Sequence, residues 1–160
     1  MASFSGANKI VLKGKYSEGG AEHEEGKLKV GGYPGMNVTL ANDFDEQGRQ
    51  VYTPGSTEYA GTGTDVSTVK APIWILKEDW TAGGTVDTAY AADDNAFIHM
   101  ASPGEVLQVL ALSGENIQKG EGLTANSAGK WVVDATNAAV IALETTGSIS
   151  ADTLVRVRVL

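Results

Sequence analysis

The sequence predicts an all-β fold, a compact barrel-like domain of short strands. Glycine contributes 20 of the 160 residues, which is typical of a chain with many tight turns. Short apolar or alternating runs are separated by turn residues about every 8 to 12 positions. No long window shows apolar residues at the helical spacings of 3, 4 and 7, so we expect at most one or two short helices.

The strand candidates share either a continuous apolar run or a two-residue alternation, and turn residues bound them. In chain order they are residues 8–13, 27–30, 36–41, 51–52, 73–76, 86–91, 96–101, 106–112, 131–133, 138–143 and 154–160. The intervening spans 15–35 and 53–68 are rich in glycine and predict mostly loops.

Two of these candidates carry the clearest burial patterns. Nearly every residue of the run 106–112 is apolar, which indicates a strand buried on both faces. In the last run, Val155, Val157 and Val159 share one face and charged residues lie between them. This alternation indicates a strand with one side toward the core. The predicted organisation is an extended arm at 1–14, glycine-rich loops and short strands at 15–72, and a barrel-like core at 73–160.

Composition excludes several classes of function. The chain has no cysteine, so disulfides, zinc-thiolate sites and thiol catalysis are excluded. A net charge of −8 argues against nucleic-acid binding, which needs clustered Lys and Arg. No run of 18 apolar residues or signal-peptide core is present, so we expect a protein made in the cytoplasm and no membrane partner.

The charge is unevenly distributed along the chain. Residues 1–15 hold three lysines and no acid, whereas residues 81–154 hold nine acids and two lysines. A cationic arm on an acidic body is typical of a tail that docks on an acidic surface. The alternative interpretation is a solvated terminus.

No motif for catalysis, a metal or a cofactor is found. His23 and His99 each lack a neighbour at metal-ligand spacing, so we expect neither to bind a metal. Asp43, Asp45 and Gly48 resemble part of a calcium loop, but the rest of that loop is absent and a turn is the better interpretation. We therefore expect no enzyme. Distant carboxylates that converge in a pocket are the enzymatic alternative.

The three tryptophans differ in their sequence surroundings. Trp74 lies in an apolar run and Trp131 is next to two valines, so we expect both in the core. Trp80 follows a charged patch and precedes a glycine-rich turn, which makes it the candidate for exposure. It would then serve a subunit contact or a glycan.

An ordered series of short signatures resembles the capsid decoration (cement) proteins of tailed bacteriophages. The series is NKIVLKG, VDTAYAADDNAFIHMASPGEVLQVLAL, GENIQKGEGLTANSAGKWVV, AAVIALETTGS and LVRVRVL. Within it, the family's hinge and its ALE strand correspond to Gly114, Ile117, Lys119, Gly120, Glu121, Leu123, Ala142, Leu143 and Glu144. The match covers most of residues 85–160 and the start of the chain. Residues 15–72 are longer and richer in glycine than in simpler members.

The resemblance implies a β-tulip-type domain that forms a homotrimer on the outer surface of the virion capsid. It implies a structural protein without cofactors, which stabilises the head by bridging neighbouring major capsid subunits. The N-terminal arm would dock on the capsid through Lys9, Ile10, Val11, Leu12 and Lys13. The alternative is a carbohydrate-binding or adhesin-like β module of a phage particle, with Trp80 as its contact.

Overall fold

The computed structural model describes residues 10–13, 23–57, 72–79 and 81–160, and these residues form strands and turns without any helix. The all-β prediction is confirmed. In chain order the strands are β1 Val11–Lys13, β2 His23–Leu28, β3 Asn37–Phe44, β4 Gln50–Pro54, β5 Trp74–Leu76, β6 Asn95–Met100, β7 Val106–Ala111, β8 Asn116–Ile117, β9 Gly122–Ala125, β10 Trp131–Val133, β11 Val140–Ala142, β12 Gly147–Ser148 and β13 Thr153–Val159.

Strands β2 to β6 close into a five-stranded barrel, the N-terminal barrel, in the order β2, β4, β3, β5, β6. Its closing pair is β2 with β6, which runs antiparallel from His23 opposite His99 to Lys27 opposite Asn95. Inside it, Tyr52 lies over Gly26 so closely that a Cβ at that position would overlap the ring. A glycine at residue 26 therefore lets an aromatic ring fill the barrel.

The C-terminal half forms a second closed circuit, the C-terminal ring. Strands β7, β10, β9, β11 and β13 pair in sequence, and β13 pairs back with β7. The last pairing is the longest, with six residue pairs from Thr153 opposite Ala111 to Arg158 opposite Val106. Each ring strand therefore pairs with another ring strand on both sides, which limits its pairing with other chains. Strands β8 and β12 form a separate ribbon.

Burial in β7 and β13 follows the sequence prediction. All six residues of β7 are buried. In β13, Val155, Val157 and Val159 are buried while Arg156 and Arg158 are exposed. The hydrophobic cluster of buried residues includes Leu107 and Val109 of β7 together with barrel residues such as Val38. One continuous hydrophobic cluster therefore joins the two halves.

Gly35 lies at the seam between the barrel and the ring. The Tyr33-Pro34-Gly35-Met36 segment forms a turn in which the Met36 amide donates to the Tyr33 carbonyl at 3.2 Å, and Gly35 has φ +89°. Proline followed by glycine favours this backbone geometry. The Gly35 amide donates to Leu76 of the barrel, and its carbonyl accepts from Leu110 of the ring, both at 2.9 Å.

The strand prediction at residues 86–91 is wrong. Residues 86–87 form a turn, and only Tyr90 makes an isolated bridge, with Gly32. The Thr85 hydroxyl accepts from the Asp87 amide at 3.3 Å, and the Thr88 hydroxyl accepts from the Thr85 amide at 3.0 Å. Such local side-chain bonds compete with strand pairing.

Other strand boundaries also differ from the predictions. Strand β2 begins four residues before the weak strand that the sequence indicates at 27–30, and β8, β9 and β12 were not predicted. The division of the chain at residue 72 stays a prediction. The pairing of β3 with β5 connects residues on both sides of that boundary.

Candidate functional site

The N-terminal strand is attached to the body of the protein. Strand β1 pairs antiparallel with β7, with Val11 opposite Leu107 and Lys13 opposite Val106. It covers the first part of a β7 edge whose last residue, Ala111, pairs with β10. Among the described residues β1 has a strand neighbour on one side only.

Ile10 anchors this strand. Its side chain is 0% exposed, and its carbonyl accepts from the Gln108 amide at 2.8 Å. Its own amide donates to the Glu78 carboxylate at 3.0 Å, and Glu78 is itself buried. A buried carboxylate needs such a partner, because an unpaired one would bear the full desolvation cost. The contacts of Ile10 and Glu78 therefore hold β1 against the body of the protein.

The structure describes only part of the predicted docking segment, residues 9–13. Lys9 lies outside the described residues, and for Val11, Leu12 and Lys13 only the strand backbone is described. Of the five, Ile10 has a described side chain, and it packs in the protein's own core. Their role in docking stays a prediction.

The structure describes two of the three tryptophans, Trp74 and Trp131. Trp131 is 0% exposed, which confirms the core prediction for it, and Trp74 is half-buried and packs against the core. The Trp74 ring meets Tyr52 edge to face, with centroids 5.8 Å apart, a geometry that stabilises aromatic pairs. Trp80 lies outside the described residues. Its neighbour Asp79 caps a turn by accepting from the Thr81 and Ala82 amides, both at 3.1 Å.

His99 belongs to a buried polar pair that the sequence did not indicate. Its Nε2 lies 2.8 Å from Oε2 of Glu105, and the two side chains are 0% and 4% exposed. The Ser102 amide donates to the same carboxylate oxygen at 2.9 Å. Nε2 is the donor when the carboxylate accepts. The pair therefore fixes the connection between β6 and β7, and hence between barrel and ring.

The aspartates with prominent hydrogen bonds act as turn caps. Asp45 accepts from the Gln47 and Arg49 amides and from the Arg49 side chain at 2.6 to 2.9 Å, which confirms the turn interpretation. Desolvation favours a higher pKa for Asp45, but the Arg49 hydrogen bonds outweigh it and lower the pKa. No group of three His, Asp or Glu side chains in the described parts of the chain is arranged to hold a metal ion.

A cleft of about 420 Å³ opens at the seam between the two halves of the molecule. From the N-terminal half it is lined by Tyr33, Val86 and Asp87, and from the C-terminal ring by Leu110, Asp152 and Leu154. The three aliphatic side chains are buried and form its apolar wall, whereas Tyr33 is 49% exposed. Clefts of this size and mixed lining suit a side chain or small ligand.

The two acids of the cleft differ in their partners. Asp152 makes an ion pair of 2.6 Å with Lys130 and accepts from the Ser113 amide at 3.0 Å. Burial favours a higher pKa for Asp152, but these two contacts outweigh it and lower the pKa. Asp87 is exposed and forms no ion pair with any residue that the structure describes.

Sequence reasoning did not find the cleft, because four separate segments build it. Tyr33 lies in a glycine-rich connection, and Val86 and Asp87 fall in a run that the sequence predicts as a strand. The available signal was the Pro34-Gly35 turn, which places Tyr33 beside Leu110 and Leu154 of the ring. Only the tertiary fold brings these distant segments together, so local sequence patterns could not indicate the cleft.

Comparison with solved structures shows a likeness of fold. The fold is similar to the crystal structure of the N base of the head fiber gp8.5 in bacteriophage phi29, with a TM-score of 0.50 and 15% identity. The superposition covers 86% of this chain and 92% of that chain. No protein-family model matches the chain, and neither does any curated protein. Within the described residues there is no helix long and apolar enough to span a membrane.

Proposed function

We propose that this chain is a structural protein of a tailed-phage virion, which binds the outer surface of the assembled head and stabilises it by bridging major capsid subunits. The observation that carries the proposal is the fold likeness to a phage head fiber base over most of both chains. The ordered signatures from NKIVLKG to LVRVRVL support the same class of particle. The proposed role is structural and involves no catalysis.

The edge of β1 that pairs with no other described strand is the proposed docking element. Strand addition to such an edge gives affinity through main-chain hydrogen bonds. The anchoring of Ile10 in the core and on Glu78 presents this edge as a rigid part of the body. Lys9 precedes the strand in the sequence and Lys13 is its last residue, and in the proposal their positive charges favour an acidic capsid surface.

Stabilisation of the head follows from selective binding. A copy that bridges two capsid subunits binds the intact lattice and not the separated subunits, so its binding free energy opposes rupture. In a homotrimer the second and third contacts benefit from a high effective concentration once the first has formed. The net charge of −8 keeps free copies apart in solution.

Co-sedimentation with purified heads that lack this protein tests the proposal. We expect saturable binding of the full-length chain, with a stoichiometry in multiples of three. A chain without residues 1–9 keeps β1 and tests the preceding segment alone. Lys9→Glu is compared with Lys119→Glu, which makes the same charge change at an exposed site on the ring. A full-length chain that stays in the supernatant would contradict the proposal.

The oligomeric state and the carbohydrate alternative have separate tests. Light scattering after size exclusion gives three times the chain mass if the homotrimer is correct. Binding to a glycan array that is lost in Trp80→Ala would favour the carbohydrate-binding module, since stacking on an aromatic ring is the usual basis of sugar recognition.

A further inference from the structure

The cleft at the seam combines an apolar wall with an acidic rim. Leu110 and Leu154 are neighbours across the β7–β13 ladder, and both are less than 10% exposed. Val86 faces them from the N-terminal half and is 3% exposed. A side chain that enters between these residues therefore meets aliphatic carbon on both sides.

The two acids of the cleft differ in their charge partners among the described residues. The Asp152 carboxylate is neutralised by Lys130, at 2.6 Å. Asp87 has no such cation among the described residues and lines the same cleft. Tyr33 lines the cleft as well and is 49% exposed, and aromatic rings attract cations.

These features fit a side chain with an aliphatic stem and a positive end. Lysine and arginine bury their methylene stems against apolar surface while the charged group stays near water. An anionic occupant would face the uncompensated Asp87 and a body with a net charge of −8. A purely apolar occupant would leave the Asp87 carboxylate partly desolvated without a partner.

We propose that the seam cleft is a docking pocket for a lysine or arginine side chain that a partner protein presents. This inference rests on the proposed function, in which the partner is a major capsid subunit. The stem packs between Val86 and the two leucines, and the charged group bonds to Asp87 beside the Tyr33 ring. A pocket lined by both halves also resists their separation when it is filled, because the occupant binds only the assembled seam.

Small capped amino acids test the pocket without any capsid. The ¹⁵N-labelled full-length chain is titrated with N-acetyl-lysine methylamide and N-acetyl-arginine methylamide, and with N-acetyl-norleucine methylamide as the uncharged control with a similar stem. We expect the basic compounds to shift the amide signals of residues lining the cleft. The norleucine compound should bind the wild-type chain about threefold to fivefold more weakly than the lysine compound does. Asp87→Asn should weaken binding of the basic compounds by the same factor, because each change removes one exposed ion pair.

Three outcomes of this titration would overturn the proposal. They are an equal response to norleucine, shifts confined to residues outside the cleft, and an undiminished lysine response in Asp87→Asn. The absence of any shift with the basic compounds at about 50 mM would overturn it too, since that concentration detects even very weak binding.

Binding to heads then tests the source of the side chain. Asp87→Lys is compared with Glu46→Lys, since both reverse one charge at exposed positions and Glu46 lies in the β3–β4 turn. We expect a loss of head affinity of at least about tenfold for Asp87→Lys only. Equal binding of both variants overturns the capsid as partner and leaves the proposed function standing. No binding by the wild-type chain overturns the proposed function, and with it the capsid as source.

A second copy of this chain is the other source of a basic side chain. If so, light scattering will show that Asp87→Lys loses the oligomer of the wild-type chain while Glu46→Lys keeps it. That result would overturn a capsid subunit as the occupant. An unchanged oligomer in both variants, together with the selective loss of head binding, supports the capsid.

Discussion

The backbone amide of Leu110 donates to the carbonyl oxygen of Gly35 at 2.9 Å, and this hydrogen bond joins the C-terminal ring to the N-terminal barrel. The contact is close because residue 35 has no side chain. A Cβ on Gly35 would lie 2.7 Å from Leu154 Cδ2 and 2.9 Å from the Leu110 amide nitrogen. The seam, and the cleft beside it, depend on this approach.

Gly35→Ala should therefore destabilise the protein strongly. The left-handed backbone and the overlap at the seam together cost about 2–4 kcal/mol of the free energy of unfolding. Gly114→Ala is the matched control, with φ +93° and nothing within 4 Å of its Cβ, so it bears only the backbone cost of about 1–2 kcal/mol. Urea denaturation measures both. Equal losses in the two variants would show that the seam adjusts without cost.

The buried pair of His99 and Glu105 gives the second prediction. Glu105→Ala leaves the buried His99 ring and the part-buried Ser102 amide without their acceptor, and a buried unsatisfied group such as the His99 donor costs about 1–3 kcal/mol. We expect a clear fall in the free energy of unfolding, measured by urea denaturation. Glu46→Ala, at an exposed turn, should change it by less than about 0.5 kcal/mol. A tolerated Glu105→Ala would mean that water replaces the carboxylate.

The third prediction concerns β1. Ile10→Ala removes a fully buried side chain and should cost about 2–4 kcal/mol. Leu160→Ala, at a residue that is 52% exposed, is the control and should cost far less. If Ile10→Ala is as mild as the control, then β1 is not an integral part of the fold. In that case the proposed docking edge would not be rigid.

Stability should fall at acid pH through the turn-capping aspartates. Hydrogen bonds from the Asn137 and Thr136 amides lower the pKa of Asp134 below its ordinary value of 3.8. A carboxyl with a depressed folded pKa stabilises the fold at a pH above the ordinary value, and this contribution is lost as the pH falls through the folded pKa. Asp134→Asn removes that titration.

Urea denaturation between about pH 2 and pH 7 measures the effect. The wild-type free energy of unfolding should fall below about pH 4, and the fall should be smaller in Asp134→Asn. Glu46→Gln is the control, since no described residue donates a hydrogen bond to the Glu46 carboxylate. A pH profile of Asp134→Asn that is identical to the wild-type profile would contradict the assigned cause.

The sequence predicted those elements whose pattern is local. Strands β7 and β13 are visible because continuous burial and two-residue alternation are properties of consecutive residues. Strand β2 was largely missed because its glycine and charges are typical of a loop. The packing of Tyr52 over Gly26 explains the glycine, and it is a tertiary contact. The strand prediction at residues 86–91 failed for a similar reason. Thr85 and Thr88 accept hydrogen bonds from nearby amides, and these bonds favour a turn over strand pairing.

The candidate sites also depend on contacts that local sequence patterns do not indicate. The lysines and apolar residues at 9–13 are readable as an arm, but the anchoring of Ile10 on Glu78 joins residues 68 positions apart. The cleft requires Asp87 and Leu154 to meet across the seam, and no spacing along the chain indicates that meeting. Both sites are therefore formed by contacts between residues that are distant in the sequence.

The thermal stability of heads measures whether the bound protein opposes rupture of the shell. Heads that lack this protein are heated with and without saturating full-length chain, and DNA release is followed with an excluded dye. We expect a release temperature that rises with occupancy and levels off at saturation, because bound copies oppose separation of capsid subunits. Heads that carry the full complement of the chain and still release DNA at the unchanged temperature would contradict this expectation.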